Sequence, residues 1–550
     1  MMFNIIALLL LFLCNHCWCD ICITCACSIS NTGPIIDCHD RHLGTNEVLT
    51  FDLFTFDKHR PLNKLILSKN NIVLLPLNEL KHLKHLKKLD LSQNKLDNIH
   101  ADIFKTLNEL EDLDYSSNSL WGFDVSTLNT ASFLSKLNLS HNHINNLEKN
   151  SGNATTKLKI LDVSRNSLID LNFLDGTPAL EYLNLSFNKF TTLSANPLVN
   201  MQHLKILRVN NNQLHSLNFQ NLPSSLLELH TENNLINTMS FQRSSIHTLN
   251  IQNNNISNIH NNLTLLEELK NLNISRNFLS DFPEIFLKSL EMLDVSFNDL
   301  TIIPESISVK NFPNLRVFKA NGNRLKDIRI WSELNLELFE VRFIETIEKI
   351  DKESFLMLKE RKNGCINVTI SSNTKLSMIQ ENVFQHMNIC SLDLSNNHFI
   401  HLPSELFNIK AYNKNVSNLS YLINLQGNPF ICNCSLQWML NELVPKLYVR
   451  KLSLLEDLRC AGPPPLANKR MIHWYKWKGE VFCNESSHFS ERITVNVASV
   501  SSKQVVTFST GPGMIAVLAT AIALLAILMI IGILLTRRMM TKRRRINRRL

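Results

Sequence analysis

The sequence predicts an α/β solenoid. It is a horseshoe of short repeats with a parallel β-sheet on the concave face, stapled by cysteines at both ends, with one transmembrane helix beyond it. Three observations predict this. An apolar motif recurs through most of the 550 residues, the cysteines cluster towards two ends of that array, and 22 consecutive residues near the C-terminus (514–535) carry no charge.

The repeat comes first, because missing it would misread every local pattern. LKKLDLSQNKL (86–96), LEYLNLSFNKF (180–190) and LEMLDVSFNDL (290–300) share L-x-x-L-x-L-x-x-N-x-L. With the Asn as marker, copies fall at Asn70, Asn94, Asn118, Asn142, Asn166, Asn188, Asn212, Asn234, Asn254, Asn277, Asn298, Asn323, Asn373, Asn397 and Asn428. The first five lie 24 residues apart, and a degenerate copy, LELFEVRFI (336–344), carries Ile344 in place of Asn. That makes about sixteen rungs.

Each L-x-L is a short strand with one buried face, as in Leu89 and Leu91 around Asp90. One such strand cannot bury its apolar side alone. Stacking copies about 4.8 Å apart continues the core and pairs the backbones in parallel. The Asn offers amide donors and an acceptor to peptide groups of the turn, which are costly to leave unpaired. Ile99 with Phe104 and Leu402 with Phe407 complete the convex side, where Pro283, Pro304 and Pro403 open the segment. A solenoid's end rungs expose apolar surface and require caps.

The ends carry the other signals. MMFNIIALLLLFL (1–13) followed by CNHCWCD reads as a signal peptide cut after residue 19, although its start lacks Lys or Arg. Removing Cys14, Cys17 and Cys19 leaves ten of thirteen cysteines, an even number for an oxidising compartment. Four lie early (Cys22, Cys25, Cys27, Cys38), four late (Cys432, Cys434, Cys460, Cys483), and Cys365 and Cys390 between.

The uncharged residues 514–535 match a bilayer core of about 30 Å at about 1.5 Å per residue. Residues 536–550 follow with eight Lys or Arg and no acid, which marks the cytoplasmic side. The chain has 56 basic and 48 acidic residues, net +8, so the tail accounts for the whole excess. That argues against a basic nucleic-acid-binding domain. The tail is expected to lie against the anionic inner leaflet as an anchor without a signal of its own. Residues 484–513, rich in Ser, Thr and Val, read as a stalk. The organisation is therefore signal peptide 1–19, N-terminal cap 20–61, repeats 62–427, C-terminal cap 428–483, stalk 484–513, span 514–535 and tail 536–550.

With these motifs in place, the chain resembles extracellular leucine-rich-repeat proteins over about residues 22–483. The early C-x-x-C-x-C-x10-C resembles their N-terminal cap, and NPFICNCSLQW (428–438) with RCAGPPPL and VFC resembles their C-terminal cap. The resemblance implies Cys22–Cys27, Cys25–Cys38, Cys432–Cys460 and Cys434–Cys483 pairing. It also implies a plasma-membrane, single-span type I protein that binds an extracellular or membrane protein, in adhesion or as a co-receptor. A lateral co-receptor or homodimer is compatible. The alternative is a Toll-like pattern-recognition ectodomain signalling through a partner, because fifteen residues past the span are too few for a signalling domain.

The middle cysteines are read from repeat phase. Cys365 precedes Asn373 by eight residues and Cys390 precedes Asn397 by seven. Neighbouring rungs bring them within disulfide range if the one-residue offset is absorbed locally.

Enzyme chemistry is not expected. G-x-S-x-G, H-E-x-x-H and Walker loops are missing, and 13 Gly leave little for phosphate cradles. No cofactor is expected. His82/His85 and His141/His143 lack carboxylate or thiol partners in sequence, so a metal role is disfavoured. The aromatic run His473, Trp474, Tyr475 and Trp477 reads as cap packing, and the charge-rich 324–362 as a drifted, solvated rung.

Glycosylation is expected at about half of Asn138, Asn153, Asn184, Asn255, Asn262, Asn273, Asn367, Asn415, Asn418 and Asn484, all in N-x-[S/T]. Asn433, between two capping cysteines, is a poor acceptor. Asn138, Asn184 and Asn273 each sit four residues before a ladder Asn, between the strand leucines, and so point out of the concave sheet. Partners are therefore expected on an edge, on the convex side, or on the sparsely decorated stretch 294–393.

Overall fold

The computed structural model describes residues 21–44, 61–75, 80–100, 102–148, 157–362, 364–407, 422–477 and 479–483. The chain divides into two units, Met1–Cys483 and Asn484–Leu550, and every described residue belongs to the first. Residues 1–19, read as a signal, and the stalk, span and tail of 484–550 lie outside the described residues. So do Asn153, Asn415, Asn418 and Asn484. Among the described residues no helix is long and apolar enough to cross a membrane.

The described unit is a β-solenoid. Its principal sheet has eighteen strands. Two of them, Ala26–Ser30 and Gly33–Asp37, form an antiparallel capping hairpin. The second hairpin strand passes the sheet on in parallel to Lys64–Ile66, and every later rung follows in parallel to Leu422–Asn424. Subtracting the hairpin leaves sixteen rungs, one for each copy of the motif including LELFEVRFI. That copy is a full strand, Leu338–Arg342, paired over five residues with Ile366–Ser371.

In the principal sheet the central residue of each three-residue strand is buried, and Phe339 takes the same place in the longer strand Leu338–Arg342. Leu89, Leu183, Leu272, Leu293, Phe318 and Phe339 all stack in the core, each at 2% exposure or less. Behind them Phe355 stacks on Phe384 at 5.6 Å and meets Phe339 edge-on at 5.7 Å. Large rings there fill the wide space left by the longer repeats with dense packing.

The α part of the expected α/β class is slight. The helices are short, as in Ile21–Thr24, Asp102–Thr106 and Val444–Arg450, at four to seven residues. The side opposite the sheet is otherwise made of single helical turns and of added parallel pairs such as Gly122–Asp124 with Asn146–Glu148. The cause is length. After a strand and a tight turn, a 24-residue repeat must return along the core to start the next strand, and too few residues remain for a helix of several turns.

The ladder Asn residues join the rungs. Asn277 is 5% exposed. Its Nδ2 donates to the carbonyls of Ile251 (3.0 Å), Ile274 (3.0 Å) and Ser275 (3.1 Å), and its Oδ1 accepts from the Ile256 N–H at 3.0 Å. Asn94, Asn118, Asn188 and Asn298 repeat this arrangement. Where Ile344 replaces Asn, its own N–H donates to Asn373 Oδ1 at 2.9 Å, so the rung remains stacked.

Disulfides close both ends. Cys22 pairs with Cys27 and Cys25 with Cys38 at the N-terminal end. Cys432 pairs with Cys460 and Cys434 with Cys483 at the other. A fifth bridge joins Cys365 to Cys390 across neighbouring rungs, with Cα atoms 5.2 Å apart. There Ile366 pairs with Ile389 but Asn367 pairs with Ser391, so Cys390 is an extra residue bulged from the register.

Candidate binding face

Side chains flanking the buried strand centres line the exposed face of the sheet in rows, one residue per rung. The row immediately before the buried centre changes character along the solenoid. It begins charged (Lys64, Lys88, Asp112, Lys136) and becomes apolar at Ile160, Tyr182 and Ile206. It turns polar again at Glu228, Thr248 and Asn271, and apolar at Met292, Val317 and Leu338. Two apolar strips, half-buried except for the exposed Ile160, therefore interrupt a polar face.

The second strip is framed by charge on both sides. On one side Arg316 joins two rungs, with Nη1 3.5 Å from Glu291 and Nε donating to Glu337 at 2.9 Å. The hydrogen bond to Glu337, with the charges of both glutamates, holds the Arg316 proton more tightly than usual. On the other side stand Asp294, Lys319 and Glu340, in register. Glu340 accepts from Asn321 Nδ2 at 2.7 Å, and Arg342 Nε lies 3.8 Å from Glu340 without a hydrogen bond.

At the rim of the same rungs, residues with left-handed backbone precede the ladder positions Asn277, Asn298, Asn323 and Ile344: Arg276 (φ 54°), Phe297 (φ 54°), Gly322 (φ 60°) and Phe343 (φ 55°). The Arg276 guanidinium lies 4.5 Å above the Phe297 ring, and Phe297 crosses the bare Gly322 to stack with Phe343 at 6.3 Å. Phe343 remains 52% exposed. Sequence reasoning missed this edge. The available signal was an aromatic or Gly immediately before the Asn, as in SFN and NGN, which places a ring where its neighbour has no side chain.

The first strip differs in its surroundings. Lys159 and Lys205 both lie 3.0 Å from Glu181, the charged row beside Ile160, Tyr182 and Ile206. These bonds, that of Lys159 first, hold the Glu181 carboxyl below its usual range. Lys136, Asn138, Asp162 and Tyr182 help to line an open depression of about 710 Å³ there.

The sequons divide by environment. Asn138, Asn184 and Asn273 are half-buried on the sheet face. Each Oδ1 accepts the N–H of its own sequon Ser at 3.1 Å. Each Nδ2 donates to the preceding rung, at Asp114 (3.0 Å), Asp162 (2.9 Å) and Gln252 (3.1 Å). Asn367 also faces this side, accepting from Ser391 Oγ at 2.6 Å. Asn255, Asn262 and Asn433 are exposed, and Asn433 is held by Ser435. Asn273 and Asn367 border the second strip on its two sides, so Met292, Val317 and Leu338 form a window between sequons.

The remaining sequence candidates are dispersed. Trp474 is buried against Phe482 and Tyr475 stacks on Tyr448 at 4.1 Å, whereas Trp477 is exposed. His85, expected to lack a carboxylate partner, instead pairs with Glu109 of the next repeat at 2.8 Å because stacking brings residues 24 apart side by side, and His143 contacts Trp121. Among the described residues no group of His, Cys, Asp or Glu could hold a metal ion.

Comparison with known proteins agrees with this architecture. The family described as "Leucine rich repeat" matches residues 60–120 and 132–190, and "Leucine Rich Repeat" matches 289–309. Human oligodendrocyte-myelin glycoprotein is 27% identical over 194 residues, which cover 33% of this chain and 42% of that protein. The chain therefore spans less than half the length of that relative. TLR13 in complex with ssRNA13 has a TM-score of 0.54 at 19% identity, covering 75% of this chain and 60% of the other. A leucine-rich-repeat protein of Leptospira interrogans gives 0.52 at 22% identity, covering 72% and 94%. At these identities the two structures establish the shared fold.

Proposed function

We propose that this chain, whose repeats match leucine-rich-repeat models over residues 60–120, 132–190 and 289–309, is a cell-surface protein-binding module acting in adhesion or as a co-receptor, because such solenoids offer a long regular surface to other macromolecules. In this reading residues 1–19 direct export, 514–535 cross the plasma membrane, and 536–550 anchor the chain on the cytosolic side. The window Met292–Val317–Leu338 supports the reading most directly. It places an apolar strip between the Glu291–Arg316–Glu337 ladder and the Asp294–Lys319–Glu340 row. An apolar centre with a charged rim is the anatomy of a protein interface. The nearby rim of Arg276, Phe297 and Phe343 extends it with the residue types that anchor such contacts.

The test is a screen of cells displaying the full chain against secreted and surface proteins. A binder should be lost by Val317→Arg and by Leu338→Arg at unchanged surface display. Capture of microbial lipid or nucleic acid in place of protein would favour a Toll-like sensing role. A protein binder indifferent to both substitutions would remove the window from the proposal.

A further inference from the structure

The first apolar strip has the same amphipathic make-up as the second but different neighbours, and those neighbours indicate what covers it. Asn184 stands beside Tyr182 on one strand, and its sequon is completed by Ser186. Its carboxamide is fixed from both ends, Oδ1 by the Ser186 N–H and Nδ2 by Asp162 on the preceding rung. The nitrogen that would carry a sugar is therefore held between its own rung and the strand Ile160–Asp162, with one N–H committed to Asp162 and the other the position a sugar takes. A group on Nδ2 therefore starts between the rungs that present Ile160 and Tyr182. Asn138 lies on the far side of Asp162 in the same row, at the margin of the 710 Å³ depression.

We propose that an N-linked glycan on Asn184 lies over the Ile160–Tyr182–Ile206 strip and closes that half of the sheet to protein partners. This rests on the reading that the chain is exported. The modification takes an oligosaccharide from a lipid-linked pyrophosphate donor. The Nδ2–C1 bond forms, the C1–O bond to pyrophosphate breaks, and Nδ2 gives up one proton. It must precede folding, since Asn184 is half-buried and its Nδ2 hydrogen-bonded afterwards. An amide nitrogen bearing one sugar keeps one N–H, so the bond to Asp162 survives.

The strip suits a sugar. Pyranose rings offer a C–H face to Tyr182 and the isoleucines, and hydroxyl and acetamido groups to Lys159, Glu181 and Lys205 at the edge. Rungs about 4.8 Å apart make the three-residue strip about 10 Å long, the reach of the first two sugars. At the second strip the row that holds Asn184 at the first carries Asp294, Lys319 and Glu340, and the adjoining sequon Asn367, whose Nδ2 donates to the Glu337 carbonyl at 3.3 Å, stands beyond Leu338 at its end.

The experiment uses full-length protein from secretion-competent animal cells, with glycopeptide mapping and hydroxyl-radical footprinting of Tyr182. The control variant is Asn184→Asp, because Asp already fills this position in the rungs of Asp90, Asp114, Asp162, Asp294 and Asp393. We expect a glycan on Asn184 and labelling of Tyr182 that rises about threefold or more in the variant, as removal of a bulky group requires. Labelling of Tyr475 in the C-terminal cap should not change. An unmodified Asn184 beside occupied Asn255 or Asn262, or equal Tyr182 labelling in both proteins, overturns the inference. Absence of glycan at every sequon would instead contradict the export on which the proposed function stands.

Discussion

Replacing the ladder residue Asn277 tests what joins the rungs. Asn277→Ala removes four hydrogen bonds, but their loss is unequal. The Ile251 carbonyl keeps the Asn254 amide, the Ile274 carbonyl keeps Asn298, and the Ser275 carbonyl keeps the Asn253 N–H. The Ile256 N–H has Asn277 Oδ1 as its acceptor and is the group left unpaired. An unpaired buried donor costs about 1–3 kcal/mol, and the lost bonds add about 1 kcal/mol. The expected destabilisation is therefore about 2–4 kcal/mol. Asn277→Asp is the sharper case. It keeps the acceptor for Ile256 and the side-chain volume, yet turns a donor into a carboxylate oxygen facing three carbonyl oxygens at 3.0–3.1 Å. A buried charge without a partner costs about 3–5 kcal/mol. Asp should therefore be the worse substitution despite its closer shape. Urea unfolding, followed by far-ultraviolet circular dichroism and by amide exchange at Ile256, measures both. If Asp proves as mild as Ala or milder, the amide donors are not what holds the rungs, and the argument fails.

The other expectations are independent of that ladder. Replacing Cys365 and Cys390 together by Ser opens a loop of 25 residues and should cost about 3 kcal/mol by chain entropy, read as a lower unfolding midpoint; an unchanged midpoint would contradict a stabilising bridge. Gly322→Ala sets a Cβ against the Phe297 ring at a left-handed φ of 60°, which should cost about 1–3 kcal/mol and raise the exposure of Phe297 to footprinting. Silence in both readouts would mean that the ring does not rest on Gly322. For Glu181 the folded pKa is lowered, so its contribution to stability is present above the ordinary value of 4.5 and is lost as pH falls through the lowered value. Replacing Lys159 and Lys205 by Met should return that titration towards 4.5, followed by carboxyl carbon NMR; an unmoved titration would deny the ladder a role.

Much of the solenoid was legible because its signals are local. The rung count, the strand positions and the buried Asn follow from L-x-L and from an amide the turn needs, all within eleven residues of chain. Even the degenerate LELFEVRFI was placed by its leucines and aromatic core. The α component was over-read. Apolar residues after the turn are shared by a short helix and by a single turn with an extended return, and the repeat length favours the latter. At the candidate site the outward direction of Asn138, Asn184 and Asn273 followed from strand alternation, but the two apolar strips did not. Ile160, Tyr182 and Ile206 are 22 and 24 residues apart, and nothing in any one repeat marks them as neighbours.

The sequence by itself determined that this chain stacks repeats, how many, and which residues each rung buries. Those properties depend on alternation and period along a continuous backbone. Tertiary structure alone decided the lateral contacts. Arg316 meets both Glu291 and Glu337, Phe297 crosses Gly322 to reach Phe343, and Cys390 leaves the register so that its neighbours can pair. The repeats here differ in length, so chain distance between facing residues changes from rung to rung, and only stacking at a fixed strand spacing sets which side chains meet.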